Sequence, residues 1–294
     1  MVVLGFLVLC LCWSTTWQAI RYCLEGYPPL LGAALRFAIA TVLLLTWLGI
    51  RRRTLRLPGG RRQHLALLVA GLVNGLGYAC VYLAEQTLTG GTAAVICASS
   101  PLFTLLLARL FGLEPLLPQR LLGMALGLGG VSVLFADGLE LGGGHFHAMV
   151  LAGVAAAVLW PLYGALLKRS AQNLPPLVTT CYFLFYTALT LVVLSLARGE
   201  VLPSLRAAPW TAHVGLLYLA IVGSVLAWSI YLWLLQRLEL SVLSTLGLIQ
   251  PVMAVAIDLL LGAAQLRLRG YLGASLVLIG MALSAWRTRT LEAK

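Results

Sequence analysis

Charged side chains are scarce in this sequence. Asp, Glu, Lys and Arg together make up 10% of the 294 residues, whereas about a quarter of the residues in a soluble domain are charged. Hydrophobic residues make up 61%, and the mean hydropathy is +0.97. The charges stand in short clusters between apolar runs. This pattern excludes a soluble globular domain and indicates a protein that crosses a membrane several times.

Motifs of ATP-driven and metal-dependent chemistry are also missing. There is no G-x-x-x-x-G-K-[ST] motif, which excludes a built-in ATPase. The cysteines and histidines show neither metal-ligand spacing nor a catalytic arrangement with an acid or a serine. We therefore expect no metal, no cofactor and no enzymatic activity. These residues are Cys10, Cys12, Cys23, Cys80, Cys97, Cys181, His64, His145, His147 and His213.

Ten apolar runs cover most of the chain. Each is close to the roughly 20 residues that a helix needs to cross a hydrocarbon core of about 30 Å. No stretch between them is long enough for a soluble domain. The sequence therefore predicts an all-α integral membrane protein with ten transmembrane helices, numbered here as spans one to ten. The predicted spans are 2–21, 31–50, 65–84, 91–110, 118–136, 147–167, 176–197, 211–233, 242–262 and 268–286.

Lysines and arginines are distributed unevenly over the predicted loops. If the N-terminus is cytoplasmic, fourteen of the 20 lie in inner loops or in the C-terminal tail, five lie in outer loops, and Arg36 lies within a span. Because cytoplasmic loops are enriched in Lys and Arg, this asymmetry places both termini in the cytoplasm. The net charge of +11 therefore reflects membrane orientation, and we expect no nucleic-acid partner.

The two halves of the chain share residues at a nearly constant offset, 150 over most of the length and 147 near the start of each half. Residues 1–140 and 141–294 therefore form two repeats of five spans. Because five is odd, the second repeat enters the membrane from the opposite side, and inverted repeats are typical of secondary transporters. The matched pairs are Gln86 and Gln236, Leu88 and Leu238, Pro101 and Pro251, Gly112 and Gly262, Gly123 and Gly273, Gly130 and Gly280, Trp13 and Trp160, and Pro28-Pro29 and Pro175-Pro176.

Short motifs recur in a fixed order along the chain. They are Trp13-Ser14, Pro28-Pro29, Leu35-Arg36-Phe37, Ser100-Pro101-Leu102-Phe103, Gln250-Pro251-Val252 and the glycines of spans five and ten. In these motifs the whole chain resembles the EamA family of the ten-helix drug/metabolite transporter superfamily. The resemblance implies a multi-pass protein of a bacterial inner membrane that exports amino acids, nucleosides, drugs or other metabolites, with the amino-acid exporters as the nearest subgroup.

One position departs from the family pattern. An acidic residue often follows directly after the glycine that ends helix four, but here Leu113 stands between Gly112 and Glu114. The second repeat has Ala263 and Ala264 at the corresponding place. No role for an acid is therefore carried over from the family to this point.

Aromatic and polar residues recur on single faces of the predicted helices. Asn74, Tyr78 and Tyr82 are spaced i, i+4, i+8 and form one stripe. Such stripes predict a cavity that holds a flat, partly apolar solute by stacking and a few hydrogen bonds. The alternative is an aromatic belt at the membrane interfaces. The predicted cavity residues are Trp13, Trp17, Gln18, Asn74, Tyr78, Tyr82, Ser100, Trp160, Tyr163, Ser224, Trp228, Tyr231 and Gln250.

Prolines and small residues mark two further features. Pro101 and Pro251 each remove a backbone hydrogen bond within a span, so they are either hinges for alternating access or plain kinks. Spans five and ten carry small residues at spacings that allow close helix packing. We expect these two spans to be peripheral and to pack on their own half or, as a homodimer, on another subunit.

Two charges fall within predicted spans. Arg36 is either a membrane anchor, whose long side chain reaches the outer surface, or a cavity residue. Asp258 is either an ion-pair or hydrogen-bond partner for another helix, a protonatable or substrate-amine site, or an acid that faces the lipid headgroups. The repeat aligns Asp258 with Ala108, which favours a structural partner.

The sequence as a whole predicts a secondary transporter that exports small metabolites, above all aromatic or neutral amino acids, through a central cavity between the repeats. We expect a small-molecule substrate and membrane lipids as partners. The alternatives are an intramembrane lipid-modifying enzyme, or a transporter or channel for other drugs or metabolites such as nucleosides.

The predicted orientation can be tested by labelling single cysteines with a membrane-impermeant thiol reagent. Cysteines in the 51–64 loop and in the C-terminal tail should react from the cytoplasmic side, because the arginines around them stay inside. Labelling of the 51–64 loop from the outer side contradicts the orientation and, with it, the inverted repeat.

Overall fold

A computed structural model of the protein describes residues 1–55, 57, 60–84, 86, 97–134, 146–171, 173–204, 208–260 and 268–285. Within these residues every regular element is a helix, which confirms the all-α prediction. The helices are α1 (Val2–Leu24), α2 (Pro29–Ile50), α3 (Gly60–Ala84), α4 (Ser100–Leu110), α5 (Pro118–Leu134), α6 (Phe146–Ser170), α7 (Pro176–Ala197), α8 (Trp210–Leu235), α9 (Leu240–Ser244), α10 (Leu246–Leu260) and α11 (Leu268–Ala285).

Six of these helices are long and apolar enough to cross a membrane, namely α1, α2, α3, α6, α7 and α8, and the others are shorter. Helices suit this environment because lipid cannot hydrogen-bond to the backbone. Proline and glycine set several ends. Pro29 and Pro176 occupy the first turns of α2 and α7, where a missing N–H costs little. Gly112 and Gly199 follow the ends of α4 and α7 with φ of 66° and 67°.

Helix α8 contains a π-helical turn at Ile221–Leu226. The hydroxyl of Ser224 donates to the carbonyl of Leu219, five residues earlier, at 2.9 Å. Such turns are rare and frequently occur at functional sites. The carbonyl of Gly223, within this turn, accepts a hydrogen bond from another helix, as described below.

The helices pack in a similar way in the two halves of the chain. Helix α3 packs on α6 and α7, and the equivalent helix of the second half, α8, packs on α1 and α2. Likewise, α4 packs on α6 and α10 packs on α1. Each of these contacts is reproduced when every helix is exchanged with the one five spans away.

Equivalent helices also meet directly. Helix α5 packs on α11, and a Cβ at Gly123 would lie 2.6 Å from the carbonyl oxygen of Gly280. A Cβ at Gly130 would lie 2.7 Å from the carbonyl oxygen of Gly273. The residue numbers run in opposite directions along this contact, so α5 and α11 are antiparallel. Helices α2 and α7 pack as a second equivalent pair.

The packing of α5 on α11 corrects one expectation in part. We expected these two helices to pack on their own half or on another subunit, and each does pack on the preceding helix of its own half. Their small residues, however, face each other across the two halves of one chain. The predicted repeat pairs the two glycine stripes but gives no information on their partner. A homodimer through these helices stays a prediction, and it would have to use their other faces.

Two adjacent glycines of α5 provide a matched test of this contact. Gly130→Ala should destabilise the protein by about 1–3 kcal/mol, because the added methyl group meets the α11 backbone in a close-packed contact. Gly129→Ala should leave stability unchanged or raise it slightly, since nothing lies within 4 Å of that position. The measurement is thermal unfolding in detergent, and equal melting temperatures for the two variants contradict the contact.

Candidate functional site

A cavity of about 120 Å³ lies between the helices of the two halves. A single water molecule needs roughly 10–15 Å³ of such a volume, so the cavity admits a small solute or a group of waters. Helices α1, α2, α3 and α4 line it from the first half, and α6, α8, α9 and α10 line it from the second. The cavity is therefore shared between the two halves of the chain.

Aromatic rings form one wall of the cavity. The ring of Trp228 lies 5.4 Å from that of Trp13, 5.4 Å from that of Tyr163 and 5.2 Å from that of Tyr231, all in edge-to-face geometry. Trp228 is 1% exposed, and Phe183 packs behind it at 4.9 Å. This mutual packing holds each ring in one orientation, so the wall is preformed rather than assembled around a ligand.

Trp17 lines the cavity differently. It is partly exposed, and among the described residues it makes no ring contact with another aromatic side chain. Its indole face is therefore available to stack on a flat solute. Trp160 also lines the cavity, and its ring lies 6.2 Å from that of Tyr78.

Most of the residues predicted for the cavity do line it. The stripe positions of α1, α3, α6 and α8 converge because spacings of three or four residues keep side chains on one helix face. The predicted residues that the structure brings together are Trp13, Trp17, Tyr78, Ser100, Trp160, Tyr163, Trp228, Tyr231 and Gln250.

Four predicted residues do not line the cavity. Gln18 is exposed on the outside of α1, because one residue beyond Trp17 turns the side chain about 100° around the helix axis. Asn74 is buried and donates to the hydroxyl of Thr187 on α7 at 3.1 Å.

The other two residues, Tyr82 and Ser224, contact the guanidinium of Arg36. Tyr82 is fully buried, and its hydroxyl interacts with the guanidinium of Arg36. Ser224 is fully buried and accepts a hydrogen bond from the same guanidinium.

Arg36 is a cavity residue and not a membrane anchor. Its side chain is 1% exposed and lines the cavity. Nε donates to the hydroxyl of Ser224 at 2.8 Å, and Nη2 donates to the carbonyl of Gly223 at 2.9 Å, both in the π-helical turn of α8. The guanidinium also lies over the rings of Phe37 and Tyr78, 5.0 and 5.1 Å from their centroids. These contacts hold a positive charge at the cavity wall.

Three predictions concern helix breaks and the acid of span nine. The described chain turns at Ala98 and Ser99, and Pro101 stands in the first turn of α4, so a helix break lies next to this proline. Its role as a hinge stays a prediction. In the second half the helix is interrupted at Thr245, before Pro251. The side chains of Pro251 and Asp258 lie outside the described part of the structure.

Several lining residues were not foreseen from the sequence. Thr16 and Thr104 lie on the same faces as Trp13 and Ser100, so helical spacing could have found them. Ser244 and Gly247 lie on α9 and α10 next to the interruption at Thr245, which the uniform apolar pattern of span nine does not reveal. Among the described residues, no group of three or more His, Cys, Asp or Glu could hold a metal ion.

A buried charge cluster joins the two halves at the end of the bundle where α4 meets α5. The carboxylate of Glu114 accepts hydrogen bonds from the backbone N–H groups of Leu240 and Ser241 at the start of α9. Arg120 donates to Glu114 at 3.1 Å and also to Glu239. Glu114 therefore connects α9 to the α4–α5 loop, a role that the sequence did not indicate.

The opposite end of the bundle has its own contacts between the halves. The hydroxyl of Tyr27 lies 2.7 Å from Nδ1 of His213, and the hydroxyl of Thr211 donates to Glu25 at 2.7 Å. The carboxylate of Glu200 accepts from the N–H of Leu31, also at 2.7 Å. The cavity thus lies between two polar regions that each join the two halves of the chain.

A helical membrane protein whose halves enclose a solute-sized cavity has the architecture of a secondary transporter. Residues 1–136 and 147–286 match the EamA-like transporter family. The chain therefore belongs to that family of the drug/metabolite transporter superfamily and is a membrane transporter.

Relatives agree with this assignment. The chain is 30% identical to the uncharacterized inner membrane transporter YedA of Escherichia coli, over 86% of this chain and 80% of YedA. It is 26% identical to the uncharacterized transporter YoaV of Bacillus subtilis, over 95% of each protein. A solved crystal structure matches over 99% of each chain with a TM-score of 0.80 at 23% identity. The protein is a multi-pass protein of a bacterial inner membrane.

The charge cluster gives a prediction with an internal control. Glu114→Gln should lower stability by about 1.5–3 kcal/mol, because it removes the charge of a buried acceptor shared by Arg120 and by backbone N–H groups, while Glu239 stays as the counter-ion of Arg120. Glu239→Gln removes the second carboxylate, whose side chain is 36% exposed, and should cost about 0–1 kcal/mol. Thermal unfolding of the two variants in detergent measures the difference. An equal loss for both contradicts the assignment of Glu114 as the central acid.

Proposed function

We propose that the protein is a secondary transporter that exports small metabolites, foremost aromatic and neutral amino acids. In this proposal the chain forms ten transmembrane helices in two inverted five-helix repeats, and both termini are cytoplasmic. The cavity opens alternately to the two sides of the membrane. The observation that carries it is the cavity itself, which is built from both repeats and lined by aromatic rings with few polar groups.

The chemistry of the lining favours this class of solute. The aromatic wall can contact a flat or apolar side chain of the solute through the edges and faces of its rings, which belong to Trp13, Tyr163, Trp228 and Tyr231. Hydroxyl and amide groups on α4, α9 and α10 can form hydrogen bonds. Among the described lining residues Arg36 carries the one formal charge. Phosphorylated solutes are disfavoured, because their recognition uses clusters of Arg or Lys.

The fold favours alternating access. Equivalent helices α5 and α11 run antiparallel, as inverted repeats require. Polar contacts join the halves at both ends of the bundle, so opening one end while the other stays closed gives the cavity access to one side at a time. For the cavity to open at the end of the bundle where α4 meets α5, the contacts among Glu114, Arg120 and Glu239 must separate.

Transport by the purified protein in liposomes tests the proposal. Uptake of a labelled amino-acid panel, with and without a pH gradient, should exceed that of protein-free liposomes for aromatic and neutral members. Trp17→Ala should reduce transport of aromatic solutes roughly two- to tenfold and affect small aliphatic ones less, because stacking is lost. Trp47→Ala is the matched control, since Trp47 is exposed on the outside of α2.

Two results contradict the proposal in different ways. If no member of the panel crosses the membrane faster than through protein-free liposomes, the substrate class is wrong. If Trp17→Ala reduces transport of all solutes equally at unchanged expression, Trp17 has a packing role and does not bind the solute.

A further inference from the structure

One corner of the cavity offers hydrogen-bond donors without matching acceptors. Nη1 of Arg36 is buried and has no hydrogen-bond partner among the described residues. The indole Nε1 of Trp13 has none either, and that of Trp228 lies near the hydroxyl of Tyr78 without a hydrogen bond of normal geometry. All three residues line the cavity. Buried N–H groups without a partner are rare in proteins, and three around one cavity indicate an occupant that supplies acceptors.

Among the residues whose side chains the structure describes, no acid forms an ion pair with Arg36. The helices that pack on α2 are α1, α3, α7 and α8, and neither they nor α2 contain an Asp or Glu. Asp258 is the one acid within the helices that the structure describes, and it lies on α10, which is not among these neighbours. A buried charge without a counter-ion is costly within a membrane, so it marks a functional site.

The surrounding chain holds the guanidinium in place. Ser224 and Gly223 occupy Nε and Nη2, and the hydroxyl of Tyr82 also interacts with the guanidinium, but Nη1 itself has no hydrogen bond of normal geometry among the described residues. A Cβ at Gly223 would lie 3.1 Å from Nη2 of Arg36 and 2.8 Å from Cγ2 of Thr16, so a glycine is needed there. The hydroxyl of Thr16 donates to the carbonyl of Trp13 at 2.7 Å, so its proton is not directed at the cavity.

We propose that Arg36 binds the carboxylate of the transported solute, so that the substrates are amphiphilic carboxylates such as amino acids with apolar side chains. This inference rests on the proposed function and names the group that the cavity recognises. A carboxylate accepts up to about four hydrogen bonds and matches the donors of Arg36, Trp13 and Trp228. The apolar part of the same solute then lies against the aromatic wall. Ser224 and Gly223 are positioning residues.

The test compares two solutes that differ in the carboxylate alone, L-tryptophan and L-tryptophanamide, on protein in liposomes. The wild type should have a higher apparent affinity for L-tryptophan. Arg36→Gln should lower that affinity roughly ten- to a hundredfold, the range for a hydrogen bond to a charged group, and should leave the affinity for L-tryptophanamide within about twofold. Arg36→Lys should retain part of the preference, because the positive charge stays.

Arg51→Gln is the matched control. Arg51 follows the end of the same helix and lies over the ring of Trp47, outside the cavity, so its loss should change neither affinity. Melting temperatures of all variants show whether they are folded. The two-solute comparison on the wild type needs no variant, so the inference can be tested even if Arg36→Gln does not fold.

The other possible outcomes contradict the inference, and each of them indicates a different explanation. If the wild type has equal affinity for both solutes, the cavity has no carboxylate site, but the proposed transport function is not contradicted. An equal loss of both affinities in Arg36→Gln assigns the residue to helix packing. If chloride, compared with gluconate, raises the melting temperature of the wild type and the two solutes are not distinguished, the site binds an inorganic anion. If neither solute nor any other member of the amino-acid panel is transported, the proposed function itself is wrong.

Discussion

The buried guanidinium of Arg36 is the constraint on which the arrangement around the cavity depends. A charge inside a membrane protein must be held by polar groups, and here those groups come from the opposite half of the chain. The π-helical turn of α8 presents the hydroxyl of Ser224 and the carbonyl of Gly223 together, and glycine at 223 allows α8 to approach. The same contact therefore joins α2 to α8 and sets one wall of the cavity.

The remaining features of the fold place this wall between two similar halves. The glycines of α5 and α11 let these helices approach closely, so the two halves of the chain meet through their backbones. Polar contacts at each end of the bundle join the halves again, while the middle stays open and lined by rings. A rigid aromatic wall and one anchored charge suit a solute with an apolar part and an anionic part.

The helices and much of the cavity could be predicted because the membrane imposes simple patterns. Apolar runs of fixed length give helices, and spacings of three or four residues gave the cavity face of Trp13, Tyr163 and Trp228. Partners across helices could not be predicted. Asn74 was on an inward face, but its amide donates a hydrogen bond to Thr187, 113 residues away, and does not reach the cavity. Glu114 showed no pattern, because its ligands are backbone N–H groups of a helix 126 residues away. The π-helical turn, which decides the role of Arg36, has no recognisable sequence signal.

The central claim is that the cavity binds a solute through its carboxylate at Arg36 and its apolar part at the aromatic wall. An experimental structure of the protein with L-tryptophan bound tests this most directly. The account predicts ligand density between α1, α3, α6 and α8, with a carboxylate oxygen within hydrogen-bonding distance of Nη1 of Arg36 and the indole against the aromatic rings. Density outside the cavity, or a carboxylate directed away from Arg36, contradicts it.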